Sequence, residues 1–165
     1  MAGKIQLSKP LVTSAEESII NKVIKSHFWA SGSGVGYVKK FENSLNKFTG
    51  SNTCIGVNSG TAALNLALSL FDLKNKEVLI PSLTFVSTAH AVILNGAKPI
   101  FVDVNPETLC IDEKQIQNSI TKNTKAIIPV HFAGFPCNLT AIRSICKKNN
   151  LCLIEDAAHA IGSTF

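Results

Sequence analysis

Glu77-Val-Leu-Ile-Pro-Ser82 is the stretch that decides the fold. Val78, Leu79 and Ile80 are apolar in succession, so a strand over 77–80 needs cover on both faces. Pro81-Ser82 break the run, and helical spacing then occupies 84–95. The same order of strand, turn and helix repeats outward in both directions. Upstream, a strand over 53–57 passes through Asn58-Ser59-Gly60 into a helix over 61–70. Downstream, a strand at 99–103 leads through a proline-containing turn to a helix at 112–120. A strand at 125–130 follows, then a loop with Gly134 and Pro136, a helix at 138–149 and a closing strand at 151–155. Repeated units of this kind predict an α/β fold: a mostly parallel sheet flanked by helices on both faces.

The first third of the chain reads differently. Ser14 with Glu17 three residues on marks a helix start, and Ile19, Ile20, Val23 and Ile24 keep helical spacing to residue 26. A glycine-rich turn, Ser31-Gly-Ser-Gly-Val-Gly36, precedes a second helix over 37–48. No strand runs into that turn, so it is not a dinucleotide fingerprint. The expected organisation is a helical segment over 1–50 and part of an α/β domain over 51–165.

Composition narrows the class. Of 165 residues, 45% are hydrophobic and 16% charged, which suits a buried α/β core. No apolar run approaches the length of a membrane span, and the first residues carry no apolar signal core, so the expected location is the cytoplasm. The formal charge of +5 comes from scattered lysines with a single arginine, Arg143, which reads as a solvated surface and not a nucleic-acid site. Cys54, Cys110, Cys137, Cys146 and Cys152 form no CxxC pair or metal-ligand spacing; reduced thiols and no metal are expected.

Chemistry gathers at the carboxyl ends of the expected strands, where ligands of open parallel sheets collect. Asn58-Ser-Gly-Thr-Ala-Ala63 opens a helix after a strand. Gly60 allows close approach of an anion and Thr61 adds a hydroxyl, although the same residues serve equally as an ordinary Ser/Thr cap. In Pro81-Ser-Leu-Thr-Phe85, Phe85 is either a platform for an aromatic ring or a core residue. His131 in Val130-His-Phe-Ala-Gly134 reads best as a hydrogen-bonded structural histidine. In Ile154-Glu-Asp156-Ala-Ala-His159, the carboxylate of Asp156 needs a cation or donors, either a protonated ring nitrogen or a lysine or Arg143. His159 reaches the same ligand or caps the turn. An anion cradle, an aromatic platform and a carboxylate for a ring nitrogen match the phosphate, ring and pyridine nitrogen of pyridoxal 5′-phosphate.

Several blocks together carry a family resemblance: Gly36-Tyr-Val-Lys-Lys-Phe-Glu42, Ser59-Gly-Thr-Ala-Ala-Leu64, Val78-Leu-Ile-Pro-Ser-Leu-Thr-Phe85, Gly96-Ala-Lys-Pro-Ile-Phe-Val-Asp103, Ile127-Ile-Pro-Val-His131 and Ile154-Glu-Asp-Ala-Ala-His-Ala160. In these the chain resembles the DegT/DnrJ/EryC1/StrS sugar aminotransferases, proteins of the fold-type-I pyridoxal-phosphate class. The resemblance implies that Gly60, Thr61 and Ala62 hold the cofactor phosphate and that Phe85 stacks on its ring. It assigns Asp156 to the pyridine nitrogen, His159 to the phenolic oxygen and residues 32–36 to the border of the sugar site. It also implies a homodimer that aminates a nucleotide-linked keto sugar with the amine of glutamate or glutamine.

The family's Schiff-base lysine, the serine beside it and a C-terminal domain are expected downstream of Phe165, so the isolated chain is expected to be inactive. A sugar 3-dehydratase of the same family, with histidine in place of that lysine, and a non-catalytic remnant are the competing readings. A nicotinamide-binding domain fails on the missing glycine fingerprint and ribose-binding acid.

Overall fold

The structure is a computed structural model that describes residues 10–28 and 36–164. The glycine-rich turn expected at 31–36 therefore lies outside the described residues except for Gly36. By its contacts the chain forms two compact units, Met1–Gly56 and Val57–Phe165.

The first unit contains α1 (Ser14–Lys25) and α2 (Tyr37–Thr49), neither of which buries a residue. The start of α1 is one residue earlier than the sequence suggests. Thr13, not Ser14, is the cap, and its amide donates to Glu16 Oε2 at 2.6 Å. Both Thr13/Glu16 and Ser14/Glu17 have the capping-box spacing, which therefore cannot choose between them. Gly50, in the left-handed region at φ 71°, ends α2.

The second unit contains α3 (Gly60–Ser69), β1 (Glu77–Pro81), α4 (Val86–Leu94), β2 (Lys98–Val102), α5 (Glu113–Ser119), β3 (Thr124–Ile127), α6 (Leu139–Asn149) and β4 (Cys152–Leu153). The four strands form one parallel sheet in the order β2-β1-β3-β4. The α/β expectation holds, and β1 is one of the two inner strands, where Val78, Leu79 and Ile80 are fully buried. Side chains alternate across it. Val78 and Ile80 join Leu64, Leu68 and Val92 in one core, while Leu79 joins Val102, Ile116 and Ile142 in another. The chain leaves β1 toward β2 but leaves β3 toward β4, so the order reverses between β1 and β3. That reversal opens a crevice at their carboxyl ends.

One expected strand is absent. Residues 53–57 pair with no strand among the described residues. Gly56 N–H donates instead to Glu42 Oε1 at 2.9 Å, and Ile55 and Val57 stay exposed. A segment of high strand propensity becomes a strand only when a neighbour takes its backbone hydrogen bonds.

All five cysteines are free thiols. Burial and the neighbouring Cys152 push the Cys146 thiol up to about 11, and burial raises Cys137 further.

Candidate functional site

Strand β4 is short, yet its extension is firmly mounted. Asp156 forms a parallel bridge with Val130; its N–H donates to Pro129 O at 2.9 Å and its carbonyl accepts from His131 N–H at 3.1 Å. The sheet therefore fixes the backbone that carries the carboxylate. Oδ2 accepts the hydroxyl of Thr88 at 3.1 Å, and Oδ1 accepts Ala158 N–H at 3.3 Å. No lysine or arginine lies within 4.0 Å of Asp156 among the described residues. The simple explanation for Asp156, a salt bridge to Arg143 or a helix lysine, is thereby excluded. Arg143 pairs with Glu155 instead, at 3.3 Å.

A cavity of about 180 Å³ opens beside this carboxylate, lined among others by Gly60, Thr61, Phe85, Thr88 and Asp156. Its floor is the start of α3. Ser59 caps that helix by accepting Ala62 N–H at 3.2 Å. The amides of Gly60 and Thr61 find no acceptor among the described residues, and a Cβ built on Gly60 would meet nothing within 4 Å. Two free donors, open space and the positive end of a helix make this point fit for a phosphate. The hydroxyl of Thr61 lies 2.6 Å from that of Ser87 at the start of α4. Ala62, expected in the cradle, has its amide engaged by the Ser59 cap and does not line the cavity.

Phe85 stands immediately before α4, and 75% of its surface is exposed. Among the described residues it is therefore not part of the core. His159 is placed differently from Asp156. It is exposed, its ring meets Phe132 edge-on with centroids 6.4 Å apart, and it is not among the lining residues. Its backbone carbonyl lies against Gly134, where an added Cβ would come within 2.9 Å and where φ is +83°. Only glycine suits that contact.

His131 is structural, as expected. Cys137 N–H donates to its Nδ1 at 3.1 Å, which places the ring proton on Nε2, and Nε2 donates to Glu155 Oε2 at 3.2 Å. Sequence reasoning missed Ser87 and Thr88. Both sit in the first turn of α4, where hydroxyl residues are common, and only the folded chain brings Thr88 to Asp156 across 68 residues. A larger hollow of about 460 Å³ lies elsewhere, bordered by Asn105, Glu113, Phe135 and Asn138, but it gathers none of the expected site residues.

With this geometry established, similarity to known proteins becomes specific. The sequence pattern of the DegT/DnrJ/EryC1/StrS aminotransferase family matches residues 11–165. The chain belongs to that family. Pyridoxal phosphate is the cofactor of the family, and the open amides at the start of α3 and a carboxylate without a cation among the described residues fit it. The uncharacterised protein MJ1066 of Methanocaldococcus jannaschii is 44% identical over 127 residues, which are 76% of this chain and 33% of that protein. The crystal structure of NtdA from Bacillus subtilis, with bound cofactor PMP, superposes with a TM-score of 0.84 at 36% identity, over 92% of this chain and 35% of NtdA. A GDP-4-keto-6-deoxymannose-3-dehydratase superposes at 0.88 with 29% identity, over 98% of this chain and 43% of its own. The matched part of the chain thus spans about a third of that curated relative. The solved structures it resembles include aminotransferases as well as that 3-dehydratase.

Proposed function

We propose that this chain forms the cofactor-holding part of a pyridoxal-phosphate aminotransferase acting on a nucleotide-linked keto sugar, with glutamate or glutamine as amine donor. The observation that carries the reading is the convergence, on one cavity, of two amides at the start of α3 and a carboxylate that have, among the described residues, no acceptor and no cationic partner respectively. In this assignment the amides of Gly60 and Thr61, with the Thr61 hydroxyl, bind the phosphate. Phe85 lies against the ring face. Asp156 holds a proton on the pyridine nitrogen, since an anionic acceptor beside that nitrogen favours its charged form. Bound there, the cofactor supplies a ring that takes up the electron pair released at the carbon next to the amine. His159 is assigned to the ring's phenolic oxygen from the turn that also carries Asp156. Ala62 follows the cradle only if the anion displaces the Ser59 cap.

The whole enzyme is proposed to work as a homodimer in the cytoplasm, a reducing compartment in keeping with five free thiols. No lysine lines the cavity among the described residues, so this chain's own residues bind, orient and hold a proton, and the transfer needs a group from elsewhere in the enzyme.

The similarity to a 3-dehydratase supports a second reading in the same family. One experiment separates the two. The complete protein is incubated with pyridoxal phosphate, glutamate and a panel of nucleotide-linked keto sugars, and the sugar products are weighed by mass spectrometry. A gain of nitrogen from labelled glutamate is expected. Loss of a hydroxyl without nitrogen would make the enzyme a dehydratase, and unchanged sugars throughout would refute both.

A further inference from the structure

We propose that Thr88 is the positioning residue for Asp156 and that Thr84 stands behind it in a hydroxyl relay. This rests on the cofactor reading above and adds a determinant of how the ring nitrogen is held.

Thr88 is fully buried in the first turn of α4. A threonine inside a helix commonly turns its hydroxyl back to the carbonyl four residues earlier. Here the hydroxyl goes to Asp156 Oδ2 at 3.1 Å, and the atom it meets four residues earlier is the Thr84 hydroxyl, at 2.7 Å. An ionised carboxylate only accepts, and Thr88 has one hydroxyl hydrogen. Thr88 therefore donates to Asp156, and Thr84 must donate to Thr88. The order Thr84 to Thr88 to Asp156 has one direction, so both rotors are set.

The consequence falls on the carboxylate plane. The terminal torsion of an aspartate is broad, and backbone pinning alone does not aim its lone pairs. Thr88 on Oδ2 and Ala158 N–H on Oδ1 fix that torsion, each taking one acceptor position of an oxygen that has two. The remaining acceptor capacity of Asp156, which lines the cavity, is left for a donor there. Without Thr88 the carboxylate can turn, and the contact with a pyridine nitrogen loses its geometry.

The test uses the complete protein with pyridoxamine phosphate, whose binding is followed by fluorescence and whose ring-nitrogen titration is followed by absorbance against pH. Thr88→Val keeps the shape and removes the hydroxyl; Thr88→Ser keeps the hydroxyl; Thr84→Val removes only the second donor. For Thr88→Val, Kd is expected to rise about tenfold, the scale of one hydrogen bond to a charged group. The ring-nitrogen titration should move to lower pH, because the protonated form loses its aligned partner. Thr88→Ser should stay within about twofold of wild type, and Thr84→Val should move in the same direction as Thr88→Val by less. Thr88→Val matching wild type, or Thr88→Ser failing as badly as Thr88→Val, would overturn the proposal and leave Thr88 as packing. Asp156→Asn separates the two levels. If it shifts the titration while Thr88→Val does not, only the Thr88 role falls. If wild type binds no pyridoxamine phosphate, or Asp156→Asn leaves the titration in place, the cofactor reading falls and the Thr88 role with it.

Discussion

Glu155 and Asp156 are neighbours at the end of one strand, yet they serve opposite sides of the sheet. Glu155 turns toward α6, where it accepts from Arg143 and from the buried His131. Its charge is matched inside the chain. Asp156 turns toward α3 and α4, where it meets one hydroxyl, one amide and an open cavity. An anion matched within the protein is structural, whereas one given donors but no cation is ready for a cationic ligand. The side of the strand, more than the residue type, separates the two surroundings.

Substitutions on the two sides should therefore differ in kind. In the complete enzyme, Asp156→Asn is expected to lower turnover about 100-fold or more while cofactor stays bound, as for loss of a key electrostatic contact; steady-state kinetics beside a cofactor titration would show it, and near-normal turnover would break the contrast. Phe85→Ala should raise the cofactor Kd by about tenfold through loss of stacking. Because Phe85 is exposed, the urea midpoint should barely move. Thr61→Val is expected to weaken phosphate retention by roughly fivefold, the worth of one hydroxyl hydrogen bond. An unchanged dissociation constant would leave the cradle to backbone amides alone. On the other side, Glu155→Gln should leave the cofactor Kd unaltered and cost about 1 kcal/mol in urea unfolding, since its partner Arg143 is largely exposed and only His131 is buried. A Glu155→Gln protein that keeps its stability but loses cofactor would invert the comparison.

Much of this was legible in the residues because the signals were local. Unbroken apolar runs such as Val78-Leu-Ile80, each followed by a turn and a helix, sufficed for a parallel sheet. Position at a strand end pointed to Asp156 and the turn after β1 pointed to Phe85, whereas Gly60 and Thr61 were marked by a helix start whose expected preceding strand does not form among the described residues. What escaped depended on partners distant in sequence. Residues 53–57 have strand propensity, but pairing belongs to a neighbour and not to the segment. The cap of α1 fell on Thr13 because two overlapping motifs compete. Thr88 reads as helix filler until β4 brings Asp156 to it. His159 shares a turn with Asp156, yet a ring on a turn can point either way, and here it packs on Phe132. Arg143 looked available to Asp156, and the alternation of one residue along the strand gave it to Glu155 instead.

In the proposed assignment everything turns on Asp156 holding a proton on a pyridine nitrogen in this cavity. The direct measurement is the nitrogen-15 NMR shift of ring-labelled pyridoxamine phosphate bound to the complete protein, wild type beside Asp156→Asn, at neutral pH. A pyridinium shift is expected in the wild type and a neutral-pyridine shift in the variant. The same shift in both would contradict that assignment.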